Sequence, residues 1–170
     1  MSLPEGLKGK GVEEENFHLT LHFFGNIPDN LVEKIGRSLQ KLFGVLTPFS
    51  LTLDKPGFFP ERGTPRVLWI GLKDVAGELK MLNKKLQATL KQLKLERKER
   101  FHPHITLLRI KEFKDPEAFQ AYFRKLLNEA KRIEGMTFHV KEVTLFKSEL
   151  TPKGPVYSPL KTFPLEGGAE

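Results

Sequence analysis

The 170-residue chain has no cysteine, which removes disulfides, thiolate metal sites and cysteine nucleophiles together. It has no apolar run near the roughly 18–20 residues of a membrane span, and no basic-then-apolar leader at its start. A cytoplasmic protein is therefore expected, with no membrane partner. It also lacks a G-x-x-x-x-G-K-[ST] loop or other nucleotide motif, so nothing points to chemistry driven by ATP. Heat-labile amides are few, with five Asn and four Gln beside abundant Lys and Glu, a composition that leans thermophilic. Acidic residues are in deficit: 21 Asp+Glu against 28 Lys+Arg leave a net charge of +7, which suits an anionic ligand such as RNA.

What is present reads as a globular chain. Hydrophobic residues make up 39% and include 14 Phe, and the length suits one domain or two small lobes sharing a core. Residues 1–15 show no periodic apolar pattern and read as an irregular lead-in. Phe17 to Phe24 alternates, with Phe17, Leu19, Leu21 and Phe23 on one face and His18, Thr20, His22 and Phe24 on the other, so a strand is expected. Asp29 or Asn30 caps a helix to about Phe43 on the stripe Leu31, Ile35, Leu39 and Leu42. A short strand at 49–53 precedes a Pro/Gly-rich loop from Lys55 to Pro65, and Arg66 to Leu72 alternates again.

A long amphipathic helix is expected from about Asp74 to Leu95, on the stripe Val75, Leu79, Leu82, Leu86, Leu90 and Leu93. Next come a strand at 103–110, a helix opened by Asp115-Pro116 and running to about Lys131, and strands within 136–147 and 155–165. The fold class is α+β, with helices packed outside mostly antiparallel sheet.

Two segments carry chemistry. His18-Leu19-Thr20-Leu21 recurs 86 residues later as His104-Ile105-Thr106-Leu107. In a strand, residues i and i+2 share a face, so each His projects with its Thr while the apolar residue between them anchors the other face. The repeat suggests a duplicated half-domain whose two His-Thr pairs face each other across a cleft. Paired imidazoles suit a metal-free phosphodiester reaction: one neutral His takes a proton from water, and one protonated His gives a proton to the departing oxygen. Two Thr hydroxyls can steady the phosphoryl oxygens, and an Arg can clamp them bidentately. Arg109 follows Thr106 by three, so strict alternation puts it on the wrong face unless a bulge or strand end intervenes. Metal binding is the rival reading. His18 and His22 stand about 13 Å apart along a strand, and no carboxylate lies within two residues of His102 or His104, so neither metal nor other cofactor is expected.

Four blocks in order make the chain resemble the two-histidine phosphoesterases, specifically the bacterial and archaeal RNA 2′,3′-cyclic phosphodiesterases, also called 2′-5′ RNA ligases (LigT-like). They run from Glu14 to Gly25, Pro65 to Leu72, Pro103 to Arg109 and Leu145 to Tyr157, within a likeness covering about residues 13 to 165. The resemblance implies one bilobal, pseudo-twofold domain over 1–170 with a central cleft. It implies metal-free opening of a terminal RNA 2′,3′-cyclic phosphate to a 2′-phosphate, with 2′-5′ joining as the reverse. It makes His104 the base, His18 the acid, Thr20 and Thr106 the phosphoryl-oxygen ligands and Arg109 a further phosphate contact. The residues alone leave the acid and base assignments equally open.

The expected substrate is RNA with a cyclic phosphate end, such as tRNA halves. The alternatives are a small cyclic nucleotide, an ADP-ribose cyclic phosphate, or a non-catalytic binding module. Family members begin with a strand and a helix ahead of the first His motif. Only 17 residues precede His18, and Ser2 to Lys8 is similar to the start of that helix, so both elements read as shortened and a sheet edge as exposed. A monomer or weak dimer is expected. Phe24, Phe58, Phe59 and Trp69 are candidates to stack a base, and Arg62 and Arg66 to rim the cleft. Trp69 reads more readily as core and Arg62 as a solvated loop charge. His22, His102 and His139 read as structural or surface residues, and Lys147 and Ser148 carry no evident chemistry.

Overall fold

The computed structural model describes residues 3–11 and 17–168, and of Lys10 only the backbone; the matched residues Glu14–Asn16, and Ser2, lie outside this set. The described elements are β1 (Leu7–Gly11), α1 (Asp29–Gly44), β2 (Phe49–Phe59), β3 (Val67–Lys73), α2 (Glu78–Gln92), β4 (His104–Phe113), α3 (Pro116–Ala130), β5 (Thr137–Val140), β6 (Glu142–Thr151) and β7 (Gly154–Pro164). The larger sheet has the order β1-β4-β3-β2-β5, and the β1–β4, β4–β3 and β3–β2 pairs are antiparallel. The fold is α+β, as expected. Contacts divide the chain into two compact units.

The first unit comprises the residues up to Leu21, Leu51–Val75 and Phe101–Thr137. One face of its sheet packs on α3: Leu7, Leu68 and Ile110 bury against Phe119, flanked by Phe58, Leu108, Tyr122 and Phe123. Asp115 caps α3 by accepting from the Ala118 N–H at 3.0 Å, and Pro116 sits where no N–H is needed. Phe58 meets Phe119 and Phe123 edge-on at 5.3 and 5.0 Å, so it is core and not a base platform.

Four sequence expectations fail here for physical reasons. The lead-in is partly strand: β1 is held by main-chain bonds to β4, which need no side-chain alternation, and among its described side chains only Leu7 is deeply buried. Leu3 to Gly6 is irregular and turn rather than helix, and β1 covers the edge of β4. The stretch from Lys55 to Phe59 is strand, because a register shift between Leu53 and Pro56 lets the ladder absorb the proline. The loop is confined to residues 60–66. Finally, the expected strand Phe17 to Phe24 reduces to a single bridge at Leu19. Alternation reports two faces; it does not supply a partner strand.

The second unit comprises His22–Ser50, Ala76–Arg100 and the residues from Phe138 on. Its core gathers Ile35, Leu39 and Phe43 of α1, Leu79, Leu82, Leu86 and Leu90 of α2, and Phe163 of β7, with Phe43 and Phe163 rings 5.8 Å apart. The helix α2 starts four residues later than expected, because Gly77 adopts a left-handed φ of 74° ahead of it, and Val75 is exposed. The N-cap of α1 is Pro28, with no side-chain cap bond. Strands β6 and β7 form a separate two-stranded sheet.

Candidate active site

The site lies on the face of the first unit's sheet opposite α3. Leu19 pairs antiparallel with Ile105. The antiparallel sense of the bridge lays the His18–Thr20 segment beside His104–Thr106, His18 toward the Thr106 end and Thr20 toward the His104 end. Along β4, alternation sets His104 and Thr106 on one face and Ile105 on the other. The two His-x-Thr segments are thus cross-strand neighbours in one unit, and the quartet is assembled by a single bridge.

Arg109 joins this face through a bulge. Trp69 pairs with Thr106, but Leu68 pairs with Leu108 and Val67 with Arg109, which leaves Leu107 as an extra residue in β4. The extra residue reverses the alternation. Leu108 and Ile110 therefore pack on α3 while Arg109 shares the face of Thr106 and His104. The bulge that Arg109 required is present, and no local feature of the sequence marks it.

His104 is the half-buried member of the pair, and His18 is exposed. The His104 Nδ1–H donates to the His102 carbonyl at 2.6 Å. A carbonyl only accepts, so the proton sits on Nδ1 and Nε2 keeps its lone pair. Burial holds the His104 pKa below the ordinary 6.5. The positive charges of His102, Arg109 and His18 lower it further, and the His102 carbonyl opposes them. His104 is therefore poised neutral, with its Nε2 an acceptor.

An aromatic cluster shapes the surroundings. The Phe59 ring lies 5.0 Å from Trp69 and meets His104 edge-on at 5.2 Å. His102 stands 4.7 Å from Trp69 and 5.7 Å from His104. The indole fits because β2 has Gly57 opposite Trp69: a Cβ there would overlap Cη2 and Cζ2 and sit 2.9 Å from Cζ3. Trp69 thus belongs to the site face and only partly to the core, with its Nε1–H buried and unmatched among the described residues. His102 is the residue that sequence reading set aside: it supplies the carbonyl that fixes the His104 tautomer and a ring beside it. Its signal was the doublet His102-Pro103-His104.

Other candidates fall elsewhere. Arg66 is held by its main chain, donating to the Phe59 carbonyl and accepting from Ile110 N–H, each at 2.7 Å. Its side chain is exposed, and alternation from Val67 turns it away from the histidine face. Arg62 is an exposed loop residue. Phe24 belongs to the second unit, 4.6 Å from His22. His22 accepts from Gln87 at 3.2 Å, and Gln87 Oε1 accepts from the Arg97 N–H at 2.6 Å, which straps the charged connector to α2. Burial and then Arg97 lower the His22 pKa. His139 bonds Ser50 at 2.7 Å. Among the described residues no group of three His, Asp or Glu converges to hold a metal ion, and no helix is long and apolar enough to cross a membrane.

Comparison with known proteins gives the family and the fold. The model of the 2′-5′ RNA ligase superfamily matches residues 5–152. The chain is 38% identical over 160 residues to an RNA 2′,3′-cyclic phosphodiesterase of Archaeoglobus fulgidus, covering 93% of this chain and 85% of that protein. Its likeness to the protein of the same name from Aeropyrum pernix is 35% over 156 residues, covering 91% and 85%. Among solved structures, one from Thermus thermophilus superposes with a TM-score of 0.76 at 29% identity, over 96% of this chain and 85% of the other. E. coli LigT complexed with 3′-AMP gives 0.69 at 26% identity, over 92% and 81%.

Proposed function

We propose that this chain, which belongs to the 2′-5′ RNA ligase superfamily, hydrolyses the terminal 2′,3′-cyclic phosphate of an RNA to a 2′-phosphate by acid-base work of two histidines. The observation that carries the reading is the Leu19–Ile105 bridge, which turns two remote His-x-Thr segments into one polar quartet. His104, neutral and with Nε2 open as an acceptor, takes the proton of a water as its oxygen attacks phosphorus. The P–O3′ bond breaks, and His18 gives a proton to the leaving 3′-oxygen. Thr20 and Thr106 hydroxyls donate to the non-bridging oxygens as charge grows on them. Arg109 provides a charge-assisted contact to the same oxygens. No cofactor enters these steps.

Phe59, with Trp69 behind it, offers the terminal base an aromatic face beside His104. We take residues 1–170 as one bilobal phosphoesterase domain acting in the cytoplasm on RNA ends such as tRNA halves. Arg66 has less support as a substrate contact, since alternation from Val67 turns its side chain away from the histidine face. Joining of a 5′-hydroxyl to a cyclic end draws on the strain of the cyclic phosphate and uses the same two groups in the same roles, the hydroxyl taking the place of water.

The test is an oligonucleotide ending in a 2′,3′-cyclic phosphate, incubated with the protein in excess EDTA and followed by phosphorus NMR. A 2′-phosphomonoester is the expected product. A 3′-phosphomonoester, or loss of turnover in EDTA, would overturn the reading.

A further inference from the structure

In the second unit, helix α1 carries its cations on one line. Lys34, Arg37, Ser38 and Lys41 fall at i, i+3, i+4 and i+7, so they share a face, turned away from the buried Ile35, Leu39 and Phe43. Lys34, Arg37 and Lys41 are exposed, and Ser38 is partly buried between them. With Leu93, just past α2, these four residues line a shallow hollow of about 270 Å³. Neither helix places a carboxylate there: no Asp or Glu occurs from Lys34 to Gly44 or from Leu79 to Leu95. The ion pairs among the described residues involve Lys8, Lys114 and Lys147, and none of these three cations. Like charges at such spacings oppose helix formation, so the stripe is a cost to α1 that a bound anion relieves.

The dimensions select the kind of anion. Pockets that enclose a small molecule hold about 300–1,000 Å³ and are mostly apolar, whereas this hollow is smaller and rimmed by cations. From Lys34 to Lys41 the stripe runs about 10 Å, at 1.5 Å per residue. A stacked nucleic-acid strand carries one charge per about 3.4 Å of its axis, so about three phosphates pass over the three cations. Ser38, at the middle, has a hydroxyl to donate to a phosphoryl oxygen, and Arg37 can engage one bidentately. No aromatic ring lines the hollow to stack a base, so the contact is with backbone and is indifferent to sequence.

We propose that this face of α1 is a second RNA contact, which holds the sugar-phosphate backbone of the substrate away from its cyclic end. The inference rests on the RNA substrate proposed above, and it makes the chain favour a long RNA over a single cyclic nucleotide.

The test sets Lys34→Gln/Arg37→Gln/Lys41→Gln against Arg124→Gln/Lys125→Gln/Lys131→Gln, which removes the same charge from exposed positions along α3 and its C-cap in the first unit. Fluorescence anisotropy follows binding of a labelled RNA of about 20 nucleotides, ending in a 2′-phosphate, from about 50 to about 200 mM salt. The α1 variant is expected to bind about tenfold more weakly at the lower salt. Its slope of log affinity against log salt is shallower by about 2, the share of three single-strand contacts. The α3 variant binds as the unaltered chain does. Both variants hydrolyse a nucleoside 2′,3′-cyclic phosphate at the unaltered rate, which verifies that each is folded. Equal weakening in the two variants, or none in the α1 variant, would overturn the inference and leave the proposed reaction standing. Turnover of the cyclic mononucleotide by an unaltered chain that does not bind the RNA would overturn the RNA substrate itself, and this inference with it.

Discussion

Replacing Gly57 by Ala is the sharpest test of how the site face is packed. A Cβ at this position overlaps two indole carbons of Trp69 and approaches a third to 2.9 Å, where ordinary contact is about 3.5–4.0 Å. The indole must withdraw by about 1 Å, and it is braced by Phe59 at 5.0 Å and His102 at 4.7 Å. Overpacking of this kind costs about 1–3 kcal/mol, whereas the loss of glycine freedom in the unfolded chain returns about 0.4–1 kcal/mol. The clash wins, and a net destabilisation of about 1–2 kcal/mol follows. Because the displaced rings adjoin His104, kcat/KM falls as well. Gly36, buried in α1 with no atom within 4 Å of a built Cβ, is the control: Gly36→Ala stabilises by about 0.5–1 kcal/mol. Urea melts and initial rates read both effects. Gly57→Ala with an unchanged midpoint and unchanged rate would refute the packing of Trp69 over β2.

Arg109→Gln removes both a phosphate contact and one cause of the low His104 pKa. We expect kcat/KM to fall about 100-fold and its acidic limb to move toward 6.5, as a pH-rate profile will read. His102→Ala keeps the backbone carbonyl that orients His104, so its rate drops little while the acidic limb moves in the same direction. Stability depends on pH through His22 and His104, both depressed below 6.5 in the folded chain. The unfolded chain then binds more protons below about 6.5, so stability is full above that pH and declines as pH falls through the folded values. Melting temperatures from pH 8 to pH 5 test this sign; a rise on acidification would contradict it.

The parts of the molecule legible in the sequence are those governed by short-range periodicity. Four leucines of α2, from Leu79 to Leu90, and the capped start of α3 at Asp115 were readable because each is a local pattern. The two His-x-Thr units were readable for the same reason, and their shared face follows from alternation. What escaped was set by partners remote in sequence. The strand β1 exists because β4 offers it main-chain groups. Pro56 sits in a strand because a shifted register tolerates it. Arg109 reaches the histidine face because Leu107 is left over between two otherwise regular ladders, an outcome of pairing that β4 alone does not encode. His102 acts on His104 through a carbonyl, which every residue type carries, and through a neighbouring ring, so the doublet His102-Pro103-His104 is its mark in the sequence.

The division of labour between His104 and His18 is most directly tested by changing the leaving atom. A substrate whose 3′-bridging oxygen is sulfur departs as a thiolate, whose conjugate acid has a pKa near 8.5 and which needs no proton from the enzyme. Hydrolysis rates of His18→Ala and His104→Ala are to be compared on the oxygen and sulfur substrates. With His18 as acid and His104 as base, sulfur rescues His18→Ala and leaves His104→Ala inactive. Rescue of His104→Ala alone would reverse the assignment, and rescue of neither would contradict paired acid-base catalysis by these two residues.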